Sequence, residues 1–308
     1  MTKTTIVIDY KPKSQEEEAP CAKVKIWDMF KYGMTTICLI YATIFAYLYF
    51  NQRNIVFLPS KGLLTPQAYD LDIAQDITLT TDDKLLLTAW HIKADEDQKT
   101  ILYFHGNAGH IGNRSEKFKT FHRRGFGIFA VSYRGFGNSQ GKPTEQGLYT
   151  DARTAMNYLL NELNLKPSDI VIYGESLGTG VAVQMATEYH THALILEAPY
   201  TSIVNVAKHR YPYLPISLAL KDRFESIDKI GSVASPIFIM HGHKDRIIPI
   251  SNGMALLEAA KAPKEGKFFD NFGHLNFDFD VLADNTRNFV DRAGTMLVTE
   301  TVKTNAQN

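Results

Sequence analysis

Cysteine is scarce in this sequence. The 308 residues contain only Cys21 and Cys38, both near the amino terminus. The rest of the chain therefore has neither a disulfide framework nor a cysteine-based metal site. Lipidation of these thiols would be possible in a eukaryotic host, but no further signal calls for it, so we expect unmodified thiols. We expect no metal ion and no cofactor.

Net charge is also absent, because 33 basic side chains balance 33 acidic ones. This balance gives no support for nucleic acid or a strongly charged substrate as a partner. The sequence shows no internal repeat and no low-complexity segment. With 44% hydrophobic residues, a chain of this length suits one large domain or two small ones with a closed core.

One stretch, residues 32–50, lacks charge entirely. A membrane-spanning helix needs about 17–25 apolar residues, so this run is long enough. A cleaved signal peptide would have an unusually long polar lead here and lacks a small-residue cleavage site, and a buried core helix would show a polar face. The sequence therefore predicts an uncleaved signal-anchor, a single transmembrane helix over residues 32–50.

The basic residues around this run predict its orientation. Lys23, Lys25 and Lys31 precede it closely, whereas Arg53 and Lys61 follow it. Lysine and arginine favour the cytoplasmic side of a membrane. We therefore expect a cytoplasmic tail over residues 1–31, with the rest of the chain in the periplasm of a bacterium or on the lumenal or extracellular side in a eukaryote.

Beyond a predicted linker at residues 51–72, the patterns indicate an α/β domain over residues 73–294. Residues 73–93 alternate in polarity across Asp82-Asp83, which predicts an antiparallel hairpin. Short apolar runs then alternate with segments of helical length, which predicts a doubly wound, mostly parallel sheet. The runs are residues 101–104, 128–131, 170–173, 193–196 and 237–240. Residues 295–308 are polar and predict a flexible tail.

The run at 170–173 leads into Gly-Glu-Ser-Leu-Gly at residues 174–178, and helical spacing follows it. A G-x-S-x-G sequence between a strand and a helix predicts a nucleophile elbow, which exposes its serine at the carboxyl edge of the sheet. The two glycines permit the sharp turn and the close approach of strand and helix. Ser176 is therefore the candidate nucleophile, although an ordinary serine in a glycine-rich turn is the alternative.

Acyl transfer by a serine also needs a histidine base and a carboxylate that orients it. On this fold the chain order is serine, acid, histidine. Asp245 follows the last apolar strand and His274 follows the next one, so these two residues complete the candidate triad. Glu197, at the end of the preceding strand, is a competing acid.

Three other histidines are weaker candidates for the base. His241 and His243 lie close to Asp245 in sequence, so we expect His241 to bond within its own turn. We expect His105, which precedes a glycine in the first-strand loop, to be structural as well. The candidate oxyanion donors are the backbone N–H groups of Leu177 and of Asn107, with Ala108 as the alternative to Asn107.

The chain resembles the α/β-hydrolase superfamily, and within it the membrane-anchored group related to Bem46 and the ABHD13/ABHD17-type hydrolases. The resemblance rests on several pieces between residues 101 and 274: residues 105–109 (HGNAG), 132–139 (SYRGFGNS) and 174–178 (GESLG), Tyr211-Pro212 with 222–224 (DRF), His241-Gly242 with Asp245, and Gly273-His274. It implies a Ser–Asp–His hydrolase on one amino-terminal anchor and says little about the substrate. Members include esterases and thioesterases that act on lipidated proteins.

The leading hypothesis is a membrane-tethered serine hydrolase that cleaves esters or thioesters of a small-molecule or lipid-like acyl substrate. Residues 199–235 lie where such enzymes insert a cap, and their apolar residues from Tyr211 to Leu218 are candidates to line a pocket. A peptidase or amidase of the same fold is the second hypothesis. A catalytically silent, tethered binding module is the third, although a binding pocket has no need of a complete triad.

The predicted orientation can be tested with a fusion after Asn308. Because the lysine bias places the carboxyl-terminal domain outside the cytoplasm, alkaline phosphatase fused there should be active in a bacterial host. A cytoplasmic reporter at the same position serves as the control. Activity of that reporter alone would show the opposite orientation.

Overall fold

The computed structural model describes Met1, Asp9 and residues 25–305. Cys21 and most of the predicted cytoplasmic tail lie outside the described residues. The chain separates into two compact units, Met1–Leu48 and Tyr49–Asn308.

In the first unit the structure describes helix α1, Ile26–Val56, whose last turns belong to the second unit. The helix has 31 residues, and its most apolar 18-residue window has a mean hydropathy of 1.6 with no residue of that window buried. It is therefore long and apolar enough to cross a membrane. The helix extends beyond both ends of the predicted span at 32–50. Cys38 is an exposed free thiol.

The second unit is a mixed α/β domain built on one large sheet. The strands are β1 (Leu58–Pro59), β2 (Gln75–Thr80), β3 (Leu86–Ile92), β4 (Thr100–Phe104), β5 (Ala108–Gly109), β6 (Gly127–Val131), β7 (Ile170–Glu175), β8 (Ala193–Glu197), β9 (Ile237–Gly242) and β10 (Lys264–Phe269). The α-helices are α2 (Ser115–His122), α3 (Glu145–Asn161), α4 (Gly178–Glu188), α5 (Ile203–Arg210), α6 (Ile216–Ala219), α7 (Ser226–Lys229), α8 (Ser251–Ala259) and α9 (Phe279–Asn305). Single 3₁₀ turns occur at Pro66–Tyr69, Ile111–Arg114, Pro167–Asp169 and Ile230–Ser232.

Eight strands form the large sheet in the order β10-β9-β8-β7-β4-β6-β3-β2. The hairpin β2–β3 is antiparallel, as is the pairing of β3 with β6, and the other strand pairs are parallel. The predictions of an initial hairpin and of a mostly parallel sheet are confirmed. Every residue of the central strands β4, β6, β7, β8 and β9 is buried, which explains their uninterrupted apolar sequences.

Helices cover both faces of the sheet. Buried residues of α3, α4 and α8 share one hydrophobic cluster with Leu102 and Ile172. Buried residues of α2 and α9 share a second cluster with Tyr103 and Val171 on the other face. Adjacent residues of a strand point to opposite faces, so each buried strand contributes to both clusters. The doubly wound arrangement places the carboxyl ends of β4, β7, β8, β9 and β10 along one edge.

The segment at 51–72, predicted to be a linker, packs as part of the domain. Phe57, Leu63 and Leu71 are at most 4% exposed and belong to the two clusters. Strand β1 pairs in parallel with β5, and the Arg53 guanidinium lies 2.8 Å from the Asp222 carboxylate. The domain therefore begins before residue 73, because these apolar side chains lose their contact with water only by packing against the sheet.

The carboxyl-terminal segment also differs from its prediction. Helix α9 continues to Asn305, through most of the stretch at 295–308 that was expected to be a flexible tail. Its first half supplies Leu282, Ala283 and Phe289 to the core. Residues 306–308 lie outside the described residues.

Helix α4 begins at Gly178, which packs closely against the backbone of β4. A Cβ added at Gly178 would overlap the backbone carbonyl of Phe104, whereas the nearest atom to a Cβ at Gly231 is 3.4 Å away. We expect Gly178→Ala to lower the free energy of unfolding by about 3 kcal/mol or more, because the backbone of β4 has no room to move. Gly231→Ala should change it by less than about 0.5 kcal/mol.

Chemical denaturation of both variants in the full chain measures the difference. Equal denaturation midpoints for Gly178→Ala and Gly231→Ala would contradict the prediction.

Candidate active site

Ser176 lies in the turn between β7 and α4, at the carboxyl edge of the sheet. Its φ is +50°, in the left-handed region that residues other than glycine rarely adopt. The turn needs glycine on both sides: a Cβ at Gly174 would approach the Cα of Thr179 to 2.6 Å, and Gly178 packs directly on β4. The serine is only 6% exposed. This backbone is the strained strand–turn–helix that the sequence predicted.

The three predicted triad residues lie in one chain of hydrogen bonds. The Ser176 Oγ is 2.8 Å from the Nε2 of His274, and the Nδ1 of His274 is 2.7 Å from the Oδ2 of Asp245. Asp245 follows β9 and His274 follows β10, so the order of the strands brings both residues to the edge where Ser176 lies. In this arrangement Nδ1 donates to the carboxylate, which leaves Nε2 free to take a proton from the serine.

The carboxylate of Asp245 is buried and held by several donors. Its Oδ1 accepts hydrogen bonds from the backbone N–H groups of Ile247 and Ile248, both at 2.8 Å. Burial alone would raise the pKa of Asp245, but hydrogen bonds from His241, His274 and the backbone outweigh burial and hold this pKa well below its usual range. Asp245 is therefore ionised and can accept from His274 throughout the neutral range.

His241 bonds within its own turn, as expected, and also to the candidate acid. Its Nε2 lies 3.1 Å from the Oδ2 of Asp245 and 3.0 Å from the carbonyl oxygen of Ile248. Both partners are acceptors, so Nε2 carries the proton and donates to each. His241 thus bonds across to the candidate acid as well as within its own turn. His243, in contrast, lies at the surface, 3.8 Å from Asp270.

Glu197, the competing acid, is only 1% exposed and lies in a different set of contacts. Its carboxylate is 2.8 Å from the Nζ of Lys117 and accepts a hydrogen bond from the Tyr173 hydroxyl at 2.6 Å. Its backbone carbonyl accepts from the N–H of Ser176 at 2.9 Å. Because His274 already donates to Asp245, the geometry favours Asp245 as the acid of the triad.

The loop after β4, residues 105–109, is hereafter called the β4 loop. In it, the Nδ1 of His105 lies 2.8 Å from the carbonyl oxygen of Gly106, which belongs to the same peptide group as the N–H of Asn107. Burial, together with the nearby Arg114 charge, lowers the pKa of His105 to about 3, so its ring is neutral and donates through Nδ1. His105 thus has the structural role that was expected, since it fixes the orientation of that peptide group.

The second candidate donor is fixed in a similar way. The carbonyl oxygen of Ser176, in the same peptide group as the N–H of Leu177, accepts hydrogen bonds from the backbone N–H and the hydroxyl of Thr179 at 2.9 and 2.6 Å. Asn107 and Leu177 both line the cavity beside Ser176, and Ala108 is not among its lining residues. Of the two alternatives in the β4 loop, the geometry favours Asn107.

A cavity of about 380 Å³ opens beside Ser176 and His274. Most of its wall is aliphatic. The remaining lining residues are Ile55, Val56, Leu58, Asn107, Leu177, Tyr200, Ile203, Val206, Ala207, Arg210, Tyr211, Ile247, Ile248 and Leu275. Such a wall suits the apolar part of a ligand.

The wall of this cavity only partly matches the sequence-based expectation. The cap does contribute, but through helix α5 and Tyr211, whereas Tyr213 and Leu218 are 89% and 88% exposed. Ile55, Val56 and Leu58 line the cavity although they lie in the predicted linker. The one signal for them in the sequence was an uninterrupted apolar run at residues 55–58 within that linker.

Across the part of the chain that the structure describes, no three His, Cys, Asp or Glu side chains are grouped closely enough to bind a metal ion. The site itself offers the hydroxyl, imidazole and carboxylate described above, together with backbone N–H groups.

Comparison with solved structures identifies the fold. An esterase of Pyrococcus furiosus superposes with a TM-score of 0.62 at 18% sequence identity, over 77% of this chain and 98% of its own. An alpha-beta hydrolase from Vibrio vulnificus gives a TM-score of 0.59 at 21% identity, over 78% and 97% of the two chains. The eight-stranded sheet described above is thus the sheet of an α/β hydrolase.

Comparison with known sequences identifies the family. The family model described as serine aminopeptidase, S33, matches residues 95–221. Human alpha/beta hydrolase domain-containing protein 17B is 38% identical over 176 residues, which are 57% of this chain and 60% of that protein. An uncharacterised protein of Mycobacterium tuberculosis is 32% identical over 259 residues, 82% and 92% of the two chains. Protein bem46 of Schizosaccharomyces pombe is 32% identical over 276 residues, 84% and 91% of the two chains. Because the bem46 match spans most of both proteins, the chain belongs to the Bem46 family of α/β hydrolases.

Proposed function

We propose that this protein is a serine hydrolase that cleaves carboxylic ester or thioester bonds through an acyl-enzyme on Ser176. The observation that carries the proposal is the chain of hydrogen bonds Ser176–His274–Asp245, at 2.8 and 2.7 Å, beside a mostly apolar cavity that Ser176 and His274 help to line. A hydroxyl bonded to an imidazole, which is in turn bonded to a carboxylate, is the arrangement that activates a serine for attack.

In the proposed reaction the Ser176 oxygen attacks the acyl carbon while its proton moves to the Nε2 of His274. The carbonyl oxygen becomes an oxyanion, which accepts hydrogen bonds from the backbone N–H groups of Leu177 and Asn107. His274 then gives the proton to the departing alcohol or thiol, which leaves the acyl group on Ser176. Water attacks this ester with His274 again as base, so that the acid is released and the serine restored. Asp245 remains ionised throughout and orients the imidazole.

The cavity wall supports an acyl substrate over a peptide. The description of the matching family model favours a serine aminopeptidase as the second candidate. An aminopeptidase needs an anionic group to bind the α-ammonium of its substrate. Among the described residues that line the cavity there is no Asp or Glu, and Arg210 is the one permanently charged side chain. An aliphatic acyl group, small or lipid-like, fits this wall better than a charged peptide terminus does.

We further propose that α1 tethers the domain to a membrane through residues 32–50, with the amino terminus in the cytoplasm. The length and apolar composition of the helix support the tether, and the lysines before it support the orientation. The catalytic domain would then face the periplasm, or the lumen or exterior of a eukaryotic cell.

The nucleophile can be tested with an active-site probe. A fluorophosphonate should label the wild type and leave Ser176→Ala unlabelled, because the probe reacts with an activated serine. On p-nitrophenyl esters the wild type should turn over and Ser176→Ala should lose at least about 10³-fold in kcat. Aminoacyl anilides are the comparison substrates. Equal labelling of both proteins would remove Ser176 from the mechanism, and turnover of anilides alone would identify a peptidase. If neither substrate were turned over, the silent binding module would be favoured.

The acid can be tested by comparing two carboxylates. We expect Asp245→Asn to lower kcat by up to about 10⁴, because an amide at this position holds the imidazole in the wrong tautomer. Glu197→Gln should cost about tenfold or less, because Glu197 bonds to Lys117 and Tyr173 and not to the base. Circular dichroism must show that both variants are folded. An inactive Glu197→Gln beside an active Asp245→Asn would mean that the acid is wrongly assigned.

A further inference from the structure

A cluster of four charged side chains is buried beneath the nucleophile elbow. Glu175, which directly precedes Ser176, lies 2.7 Å from the guanidinium of Arg114 and 2.7 Å from the Nζ of Lys117. The same Nζ lies 2.8 Å from Glu197. The side chains of Arg114, Lys117, Glu175 and Glu197 are 12%, 5%, 3% and 1% exposed. Two cations and two anions therefore neutralise each other inside the domain.

Burial of such a cluster contributes little net stability to a fold. Burial of charged groups costs several kcal/mol for each ion, and well-packed apolar residues often stabilise as well or better. Burial by itself would raise the pKa of Glu175, but Lys117 and Arg114 more than compensate and hold it well below its usual range. Glu175 is thus ionised at neutral pH. The contacts of the cluster near the active site indicate what this costly burial achieves.

Two members of the cluster bond directly to the β4 loop. The Oε1 of Glu175 accepts a hydrogen bond from the backbone N–H of Gly106 at 3.2 Å. The Nη1 of Arg114 donates to the carbonyl oxygen of Ala108 at 2.8 Å. These two bonds lie on either side of Asn107 in the sequence. Arg114 connects them, because its Nε and Nη2 also donate to the Oε1 of Glu175, at 3.1 and 2.7 Å.

The salt bridge between Glu175 and Arg114 therefore connects the nucleophile to the β4 loop. Glu175 is covalently next to Ser176, so the bridge Glu175–Arg114 sets the position of the β4 loop relative to the reacting hydroxyl. An oxyanion donor is effective only when it lies within a few tenths of an ångström of its productive position. The guanidinium suits this role, because its rigid plane holds two acceptors, the Glu175 Oε1 and the Ala108 carbonyl oxygen, in a fixed geometry.

We propose that Arg114 and Glu175 are positioning residues that hold the β4 loop against the nucleophile elbow and so align the N–H of Asn107 with the oxyanion. This proposal rests on the function proposed above. Neither side chain touches the substrate; both act through the backbone of Gly106 and Ala108. The alignment of the Asn107 N–H stabilises the transition state more than the bound substrate, because the negative charge on the carbonyl oxygen develops only in the transition state.

The other pair of the cluster provides a matched control. Lys117 and Glu197 are as deeply buried, yet their side chains bond to each other and to Glu175, Tyr103 and Tyr173. Within the described residues, neither side chain bonds to the β4 loop. The double variant Lys117→Met/Glu197→Gln removes a cation and an anion together and leaves the bridge Glu175–Arg114 in place. A loss of activity that came only from a weakened core would appear in this control as well.

The main test variant is Arg114→Lys in the full chain. Lysine keeps the positive charge beside Glu175, but a single ammonium cannot reproduce the fork that joins Glu175 to Ala108. We expect kcat to fall by about 10- to 100-fold with KM within about threefold, since loss of an oxyanion donor costs about 10²–10³ in kcat. The affinity for a boronic acid, which forms a tetrahedral adduct on the serine, should fall by a similar factor. Glu175→Gln removes the negative charge beside Arg114 but keeps an oxygen that can accept from Gly106 and Arg114. It should show a smaller loss of the same kind.

Amide hydrogen exchange of residues 106–109 gives a readout that does not depend on catalysis. Exchange should be faster in Arg114→Lys than in the wild type, and unchanged in Lys117→Met/Glu197→Gln, whose kcat should stay within about threefold. Equal kcat, boronate affinity and exchange in Arg114→Lys and the wild type would overturn the proposal, as would equal losses in the control. If the wild type hydrolysed no ester, the proposed function would fail, and the exchange comparison would still decide whether Arg114 holds the loop.

Discussion

The left-handed backbone of Ser176 is the constraint on which the rest of the site depends. A serine at φ +50° is unfavourable by itself, so the surrounding structure must hold it there. The N–H of Ser176 bonds to the carbonyl of Glu197 on β8, and its carbonyl is capped by Thr179. Glycines at 174 and 178 let β7, β4 and α4 close around the turn without collision. The hydroxyl therefore stands at the carboxyl edge of the sheet, where the loops after β4, β9 and β10 reach it.

The loops that meet there are held from two directions. From below, the buried bridge Glu175–Arg114 bonds to the β4 loop on both sides of Asn107. From outside, the end of α1 and strand β1 bond to the same residue: the N–H of Leu58 donates to the carbonyl of Asn107, and the Asn107 side chain donates to the carbonyl of Val56. A loop that is held by hydrogen bonds on both sides of Asn107 loses little entropy when a substrate binds, which favours oxyanion stabilisation.

The end of α1 and the residues just after it also contact the cap region and the cavity. Gln52 and Arg53, near the end of α1, bond to Lys221 and Asp222 of the cap region. A few residues later, Ile55, Val56 and Leu58 form part of the cavity wall. Removal of the chain before residue 59 would therefore take away part of the cavity wall and a support of the β4 loop along with α1. The long apolar helix and this part of the cavity wall are consecutive in the sequence.

The sequence by itself determined whatever depends on neighbours along the chain. Buried strands follow from runs such as residues 170–173, the elbow from two glycines around Glu-Ser-Leu, and the long helix from nineteen uncharged residues at 32–50. The candidate triad was accessible as well, because the fold imposes an order of serine, acid and histidine. Tertiary structure alone decided the rest. Arg114 meets Glu175 from 61 residues away and His241 reaches Asp245, because β4 lies beside β7 and the turn after β9 curls back. Ile55 and Val56 line the cavity, whereas Tyr213 and Leu218 face solvent, although all four side chains are largely apolar. The sequence does not distinguish them, since burial depends on which surfaces the folded chain brings together.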